Sequence, residues 1–109
     1  MSGRHRPLPP LTHLQFLILG ALLAGEQSGK ALRRELAQHG VRRTAAAFYQ
    51  MMARLEDANW VAGSYTQQIV DRQIIKERTY RLTATGERAW TRTRDFYAEA
   101  GRTGRVAHA

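Results

Sequence analysis

The chain has 109 residues, enough for one domain, and a domain of this size hides only about two-thirds of its unfolded surface, so surplus apolar surface needs a partner. Its 43% hydrophobic and 24% charged residues exclude a disordered polyelectrolyte and a membrane-embedded protein. A net charge of +8 and a pI near 11.0 favour an anionic partner, and fifteen of the seventeen cations are arginine, whose planar fork suits phosphate oxygens and guanine edges.

Residues 1–10 carry Pro7, Pro9 and Pro10, which discourage helix and sheet alike, and read as a flexible N-terminal arm. An apolar run begins at Leu11, with Thr12 as its cap and Gly25 as its stop, and forms the first helix. Leu14, Phe16, Leu17, Ile18, Leu19, Leu22 and Leu23 surround its whole circumference, so it must be buried on most sides. The run Leu14–Ala24 is shorter than the roughly 18 to 20 residues that cross a bilayer, and no signal-peptide cleavage region follows it. A cytoplasmic location without a membrane partner is the expectation.

Ser28 caps a second helix from Gly29 to about His39, with Leu32 and Leu36 inward and Lys30, Arg33 and Arg34 outward. Gly40 ends it, residues 41–44 connect, and Thr44 caps a third helix from Ala45 to about Asn59. Two short helices joined by a tight turn make a helix-turn-helix. Phe48, Met51, Met52 and Leu55 share the inner side of the third helix, while Tyr49, Gln50, Ala53, Arg54 and Asp57 share the other, the candidate reading face. Small residues from Thr44 to Ala47 would let backbone N–H groups approach a phosphate, flanked by Arg42 and Arg43.

The period then changes to two over residues 61–67 and 75–82, which predicts two strands with a tip from Gln68 to Gln73. This hairpin is a candidate wing that offers Arg72, Lys76 and Arg78 to a phosphate backbone. Thr83 caps a last helix from about Ala84 to Ala100, with Gly101 as its stop. Its stripe of Trp90, Thr93, Phe96 and Tyr97 wants a partner surface, whereas Arg88, Arg92, Arg94, Arg102 and Arg105 read as a solvated face. Residues 102–109 are read as a flexible tail.

The fold class is therefore α+β, mainly α: a winged helix-turn-helix of three helices, a two-stranded wing and a C-terminal dimerisation helix. Residues 11–83 form the DNA-binding domain and 84–101 the dimerisation helix. Two segments, Phe48-Tyr49-Gln50-Met51-Met52-Ala53-Arg54-Leu55-Glu56-Asp57 and Glu77-Arg78-Thr79-Tyr80-Arg81-Leu82-Thr83-Ala84-Thr85-Gly86, carry a resemblance to the PadR-like transcriptional regulators. It extends over Leu11 to Tyr97 and includes Ile18-Leu19-Gly20-Ala21-Leu22. The chain departs from the family where Ser28-Gly29-Lys30 replaces His-Gly-Tyr, where Asn59-Trp60 replaces glycine and an aliphatic residue, and where Arg72 replaces a wing glycine. Lys30 adds charge near the DNA side.

The resemblance implies a homodimeric repressor of double-stranded DNA whose last helices pack on the partner's first helix, with some members releasing DNA on binding a small aromatic molecule. Leu14, Phe16, Ile18, Trp90, Thr93, Phe96 and Tyr97 are the residues expected to form that dimer surface or effector pocket. With no cysteine, and with His5, His13, His39 and His108 scattered, no metal and no cofactor is assigned. No nucleophile stands beside a base and no glycine-rich phosphate loop is present, so an enzyme is not expected. Two other classes stay open, a basic RNA-associated protein stacking bases on Tyr65 and Tyr80, and a winged-helix interaction module without DNA binding.

Overall fold

The computed structural model describes residues 8–108, with side chains through Arg102. Residues 1–7 of the expected arm lie outside the described residues. Helix α1 spans His13–Ala21 and tightens into a 3-10 turn at Leu22–Ala24. Thr12 and Gln15 close a capping box: the Thr12 hydroxyl accepts from the Gln15 N–H at 3.1 Å, and the Gln15 side chain accepts from the Thr12 N–H at 3.0 Å. Helix α2, Gly29–Gln38, is capped by Ser28, and α3, Ala45–Asp57, by Thr44, each hydroxyl accepting from an N–H three residues on at 3.1 Å. Asn59 ends α3 with φ of 62°, a left-handed conformation that asparagine tolerates better than most residues, so it fills the role of the family's glycine.

Strand β1 is only Gln27–Ser28, β2 is Val61–Val70 and β3 is Gln73–Leu82; all pairing is antiparallel in the order β1-β3-β2. A two-residue strand carries no periodicity, so the sequence shows this segment only as a helix-to-helix connection. The hairpin register runs from Val61 opposite Leu82 to Val70 opposite Gln73, which shrinks the expected tip from 68–73 to Asp71 and Arg72. Those two residues have φ of 50° and 66°, the pattern of a primed two-residue turn whose twist matches that of the strands. Beyond the core's edge both pleat faces are wet, and without an inside and an outside the alternation that marks a strand fades.

Helix α4, Ala84–His108, continues through Gly101, where the sequence reading places its end. Glycine lowers helix propensity by about 1 kcal/mol without forbidding the helix, and an Arg102–Glu99 ion pair spans the position. The start of α4 is tied down tightly. The Thr83 N–H donates to the Trp60 carbonyl at 3.1 Å, and the Thr83 hydroxyl donates to the Asn59 carbonyl at 2.6 Å while accepting from the Gly86 N–H at 2.9 Å. A Cβ on Gly86 would stand 2.0 Å from the Trp60 oxygen, so only glycine lets the two backbones meet.

The core joins all layers: Ile18, Leu19 and Leu22 from the first helical segment, Leu32 and Leu36 from α2, Phe48, Met52 and Leu55 from α3, Val61 from β2 and Tyr80 from β3. Each such side chain, fully buried, contributes about 1.5–3 kcal/mol. This clamps α3 by its inner face and leaves its outer face to solvent.

Candidate nucleic-acid interface

Because Phe48, Met52 and Leu55 of α3 are buried, the opposite side presents Ala46, Gln50, Ala53, Arg54 and Asp57, all exposed. Ala46 and Ala53 keep this face shallow. Arg43, Gln50 and Arg54 line one groove together with Thr12, His13 and Gln15 at the start of α1. Arg42, Arg43 and Thr44 are exposed just ahead of α3, and Lys30 is exposed in the first turn of α2. The connection is braced from behind, since the Arg33 guanidinium donates to the Arg43 carbonyl at 3.2 Å. The structure thus sets Arg42, Arg43 and Thr44 exposed ahead of α3 and Gln50 and Arg54 on its outer side, with Arg43 sharing one groove with the last two.

Two residues expected to face DNA are occupied within the chain. Tyr49 is half-buried, meets Phe48 edge-on at 5.1 Å, and lies where a Cβ on Gly29 would come within 2.6 Å of its hydroxyl. It packs α3 onto the start of α2. Arg78 makes an ion pair with Glu56 at 2.6 Å and lies over the rings of Tyr65 and Tyr80, 4.8 and 5.8 Å from their centroids. Partial burial pulls its pKa down, but the Glu56 carboxylate and the two tyrosines outweigh this and leave it above the ordinary value. Tyr80 is raised above 10.0, mainly by burial, with Arg78 acting the other way. The Glu56–Arg78 pair crosses above Gly63, where a Cβ would sit within 2.6 Å of the carboxylate and 2.7 Å of the guanidinium. Arg78 therefore fastens the wing to α3 instead of standing free. Of the wing cations expected to reach DNA, Arg72 and Lys76 remain exposed.

On the far side α4 covers much of α1 within the same chain. Phe16 and Trp90 stack at 5.5 Å with 8° between planes, and the Trp90 indole nitrogen sits 3.0 Å from where a Gly20 Cβ would be. Ile18, expected at the dimer surface, is fully buried in the chain's own core, so no partner can touch it. Thr93 is also buried, its hydroxyl donating to the Ala89 carbonyl at 2.8 Å. Leu14 is half-buried, while Phe96 and Tyr97 are 49% and 59% exposed. An open groove of about 300 Å³ runs beside them, lined by Leu11, Phe16, Thr93 and Tyr97.

Two arginines near the interface escaped the sequence reading as site residues. Arg33 and Arg34, expected only to face outward, join Arg42 and Arg43 around one cavity. The signal available was their position on the α2 turn facing the connection.

The sequence profile of the family described as "Transcriptional regulator PadR-like family" matches residues 18–92 of this chain, well over half of it. The chain belongs to the PadR-like family. Members are transcriptional regulators and not enzymes. No curated protein matches significantly in sequence. Among solved structures, a PadR family transcription regulator from Clostridium difficile R20291 superposes with a TM-score of 0.74 at 13% identity, over 90% of this chain and 100% of the other. A PadR family regulator from Eggerthella lenta gives 0.62 at 24% identity, over 84% and 80%. Bacillus subtilis PadR in complex with operator DNA gives 0.62 at 20% identity, over 73% of this chain and 46% of that one. At these identities the likeness shows the fold, and it agrees with the mainly helical winged-helix architecture of the PadR-like chain. Among the described residues no helix is long and apolar enough to cross a membrane.

Proposed function

We propose that this PadR-like regulator binds double-stranded DNA sequence-specifically as a homodimeric repressor in the cytoplasm. The observation that carries the reading is the exposed outer side of α3, where Gln50 and Arg54 stand on a shallow alanine surface and α3 is gripped from behind by the core. An α-helix of this kind fits the major groove, where glutamine pairs with adenine and arginine with guanine. Arg42, Arg43 and Lys30, together with Arg72 and Lys76 on the wing, supply phosphate contacts that position without reading. The operator complex of Bacillus subtilis PadR supports extending this use of the fold to the present chain.

Dimerisation through α4 is supported by the exposure of Phe96 and Tyr97, whose rings meet edge-on at 5.3 Å and form one apolar patch beside the open groove. A twofold pair would set two copies of α3 in successive major grooves, roughly 34 Å apart. The groove at Leu11, Phe16, Thr93 and Tyr97, near the lower end of the roughly 300–1,000 Å³ typical of small-molecule sites, is the candidate seat for an aromatic effector.

Selection of bound duplexes from a randomised pool tests the reading. The wild type should enrich a twofold-symmetric motif, and Gln50→Ala should change base preference at one position per half-site more than it lowers general affinity. An unchanged motif with Gln50→Ala removes Gln50 from the reading role. Preference for single-stranded RNA over any duplex would replace the reading altogether.

A further inference from the structure

We propose that the cavity between α2 and the α2–α3 connection is a binding site for one phosphate group, built by Arg33, Arg34, Arg42 and Arg43. These guanidinium-bearing residues surround a cavity of about 210 Å³, and no acidic side chain lines it. Arg34, Arg42 and Arg43 take part in no ion pair among the described residues, whereas Arg78, Arg94 and Arg102 each have a carboxylate. No carboxylate among the described residues neutralises Arg34, Arg42 and Arg43, so an oxyanion entering the cavity would meet positive charge that is not already paired.

The floor is apolar, made by Leu36, Val41 and the buried Phe48, so an anion held there is partly withdrawn from water and feels the arginines more strongly. The rim is held in place beforehand, because Arg33 is hydrogen-bonded to the Arg43 carbonyl and fixes the loop that carries two of its partners. The cavity of about 210 Å³, open to solvent, has room for a phosphate group, and the rest of a nucleotide would lie outside it.

Arg43 lines both this cavity and the groove that holds Gln50 and Arg54. A duplex read by α3 would therefore lay its sugar-phosphate strand beside the cavity, and this part of the proposal depends on the DNA-binding reading above. The same chemistry admits free inorganic phosphate, and the two sources separate experimentally.

In the first arm, inorganic phosphate is titrated into the full chain at constant ionic strength while arginine side-chain N–H signals are followed by NMR. Saturable shifts of Arg34, Arg42 and Arg43 are expected, and Arg34→Gln should abolish saturation. In the second arm, affinity for a selected duplex is measured against salt; Arg34→Gln should reduce the slope of log K against log salt by about 0.9, the loss of one phosphate contact. Arg34 is exposed and makes no hydrogen bond or ion pair within the described residues, so the variant keeps the fold. If the wild type binds no duplex yet shows saturable phosphate shifts, the cavity stands as a site for the free anion and the DNA reading falls. If duplex binding persists with the slope unchanged in Arg34→Gln, and phosphate gives no saturable shift, the proposed site is overturned.

Discussion

Replacing Gly86 with alanine sets two effects of opposite sign against each other. Alanine is favoured over glycine by about 1 kcal/mol in a helix interior and by less in the first turn, where Gly86 lies, so propensity alone predicts an equally or more stable protein. The added Cβ, however, would lie 2.0 Å from the Trp60 carbonyl oxygen, and Cβ atoms essentially never approach a neighbour closer than 3.0 Å. Backbone on both sides must separate by at least the 1.0 Å difference between those two values. That movement strains the Thr83 contacts to Asn59 and Trp60, of 2.6 and 3.1 Å. Overpacking of this kind costs about 1–3 kcal/mol and each weakened hydrogen bond about 0.5–1.5 kcal/mol, so the steric side wins. We expect a net loss of about 2 kcal/mol, or about 8–16 °C in Tm at fixed protein concentration. Gly101→Ala is the control: it lies in the same helix with nothing within 4 Å of the added methyl, and it should leave stability unchanged or raise it by up to about 1 kcal/mol. Urea unfolding followed by circular dichroism measures both. Equal stability of the two variants would refute the claim that Gly86 is required by the approach of two backbones.

Glu56→Gln should destabilise the fold by about 1–2 kcal/mol, between the values for exposed and fully buried pairs, because both partners are about one-quarter exposed; a change under 0.3 kcal/mol in urea unfolding would show that the wing is held by other contacts. Tyr97→Glu combined with Phe96→Ser should yield a folded monomer by sedimentation, since both side chains point to solvent in one chain; an unchanged mass would place the dimer contact elsewhere. The folded-state pKa of Tyr80 lies above 10.0, so its stabilising effect is complete below that pH and is lost as pH rises through the folded value. Stability should therefore fall on raising pH from 9 to 11, by less in Tyr80→Phe, and parallel pH curves for the two proteins would contradict that assignment.

What could be read from the residues follows a physical division. The four N-terminal caps, Thr12, Ser28, Thr44 and Thr83, act within three residues of themselves, and each was visible in the sequence and accepts the N–H expected of it. The inner face of α3 was equally plain, because Phe48, Met52 and Leu55 repeat at helical spacing. Contacts between distant residues left no such trace. Strand β1 exists only because Gln27 and Ser28 meet Tyr80 and Thr79. Arg78 looked like a free wing cation because Glu56, which engages it, is 22 residues away. The contact of Tyr49 with Gly29 at the neighbouring turn of α2 is absent from any local pattern, and Ile18 is inward because α1 is packed from more than one direction. Asn59 and Arg72, two departures from the family's glycines, adopt the left-handed backbone that glycine would have supplied, so those substitutions change side chains without changing the path of the chain.

The proposed function turns on the outer side of α3 meeting duplex DNA. Backbone amide NMR of the full chain, recorded while adding a duplex recovered from the random pool, tests it most directly. The perturbed amides should concentrate in residues 42–57 and around Arg72 to Lys76, while those of α4 beyond Arg88 change little. Perturbations centred on α4 with residues 46–54 unmoved would contradict it.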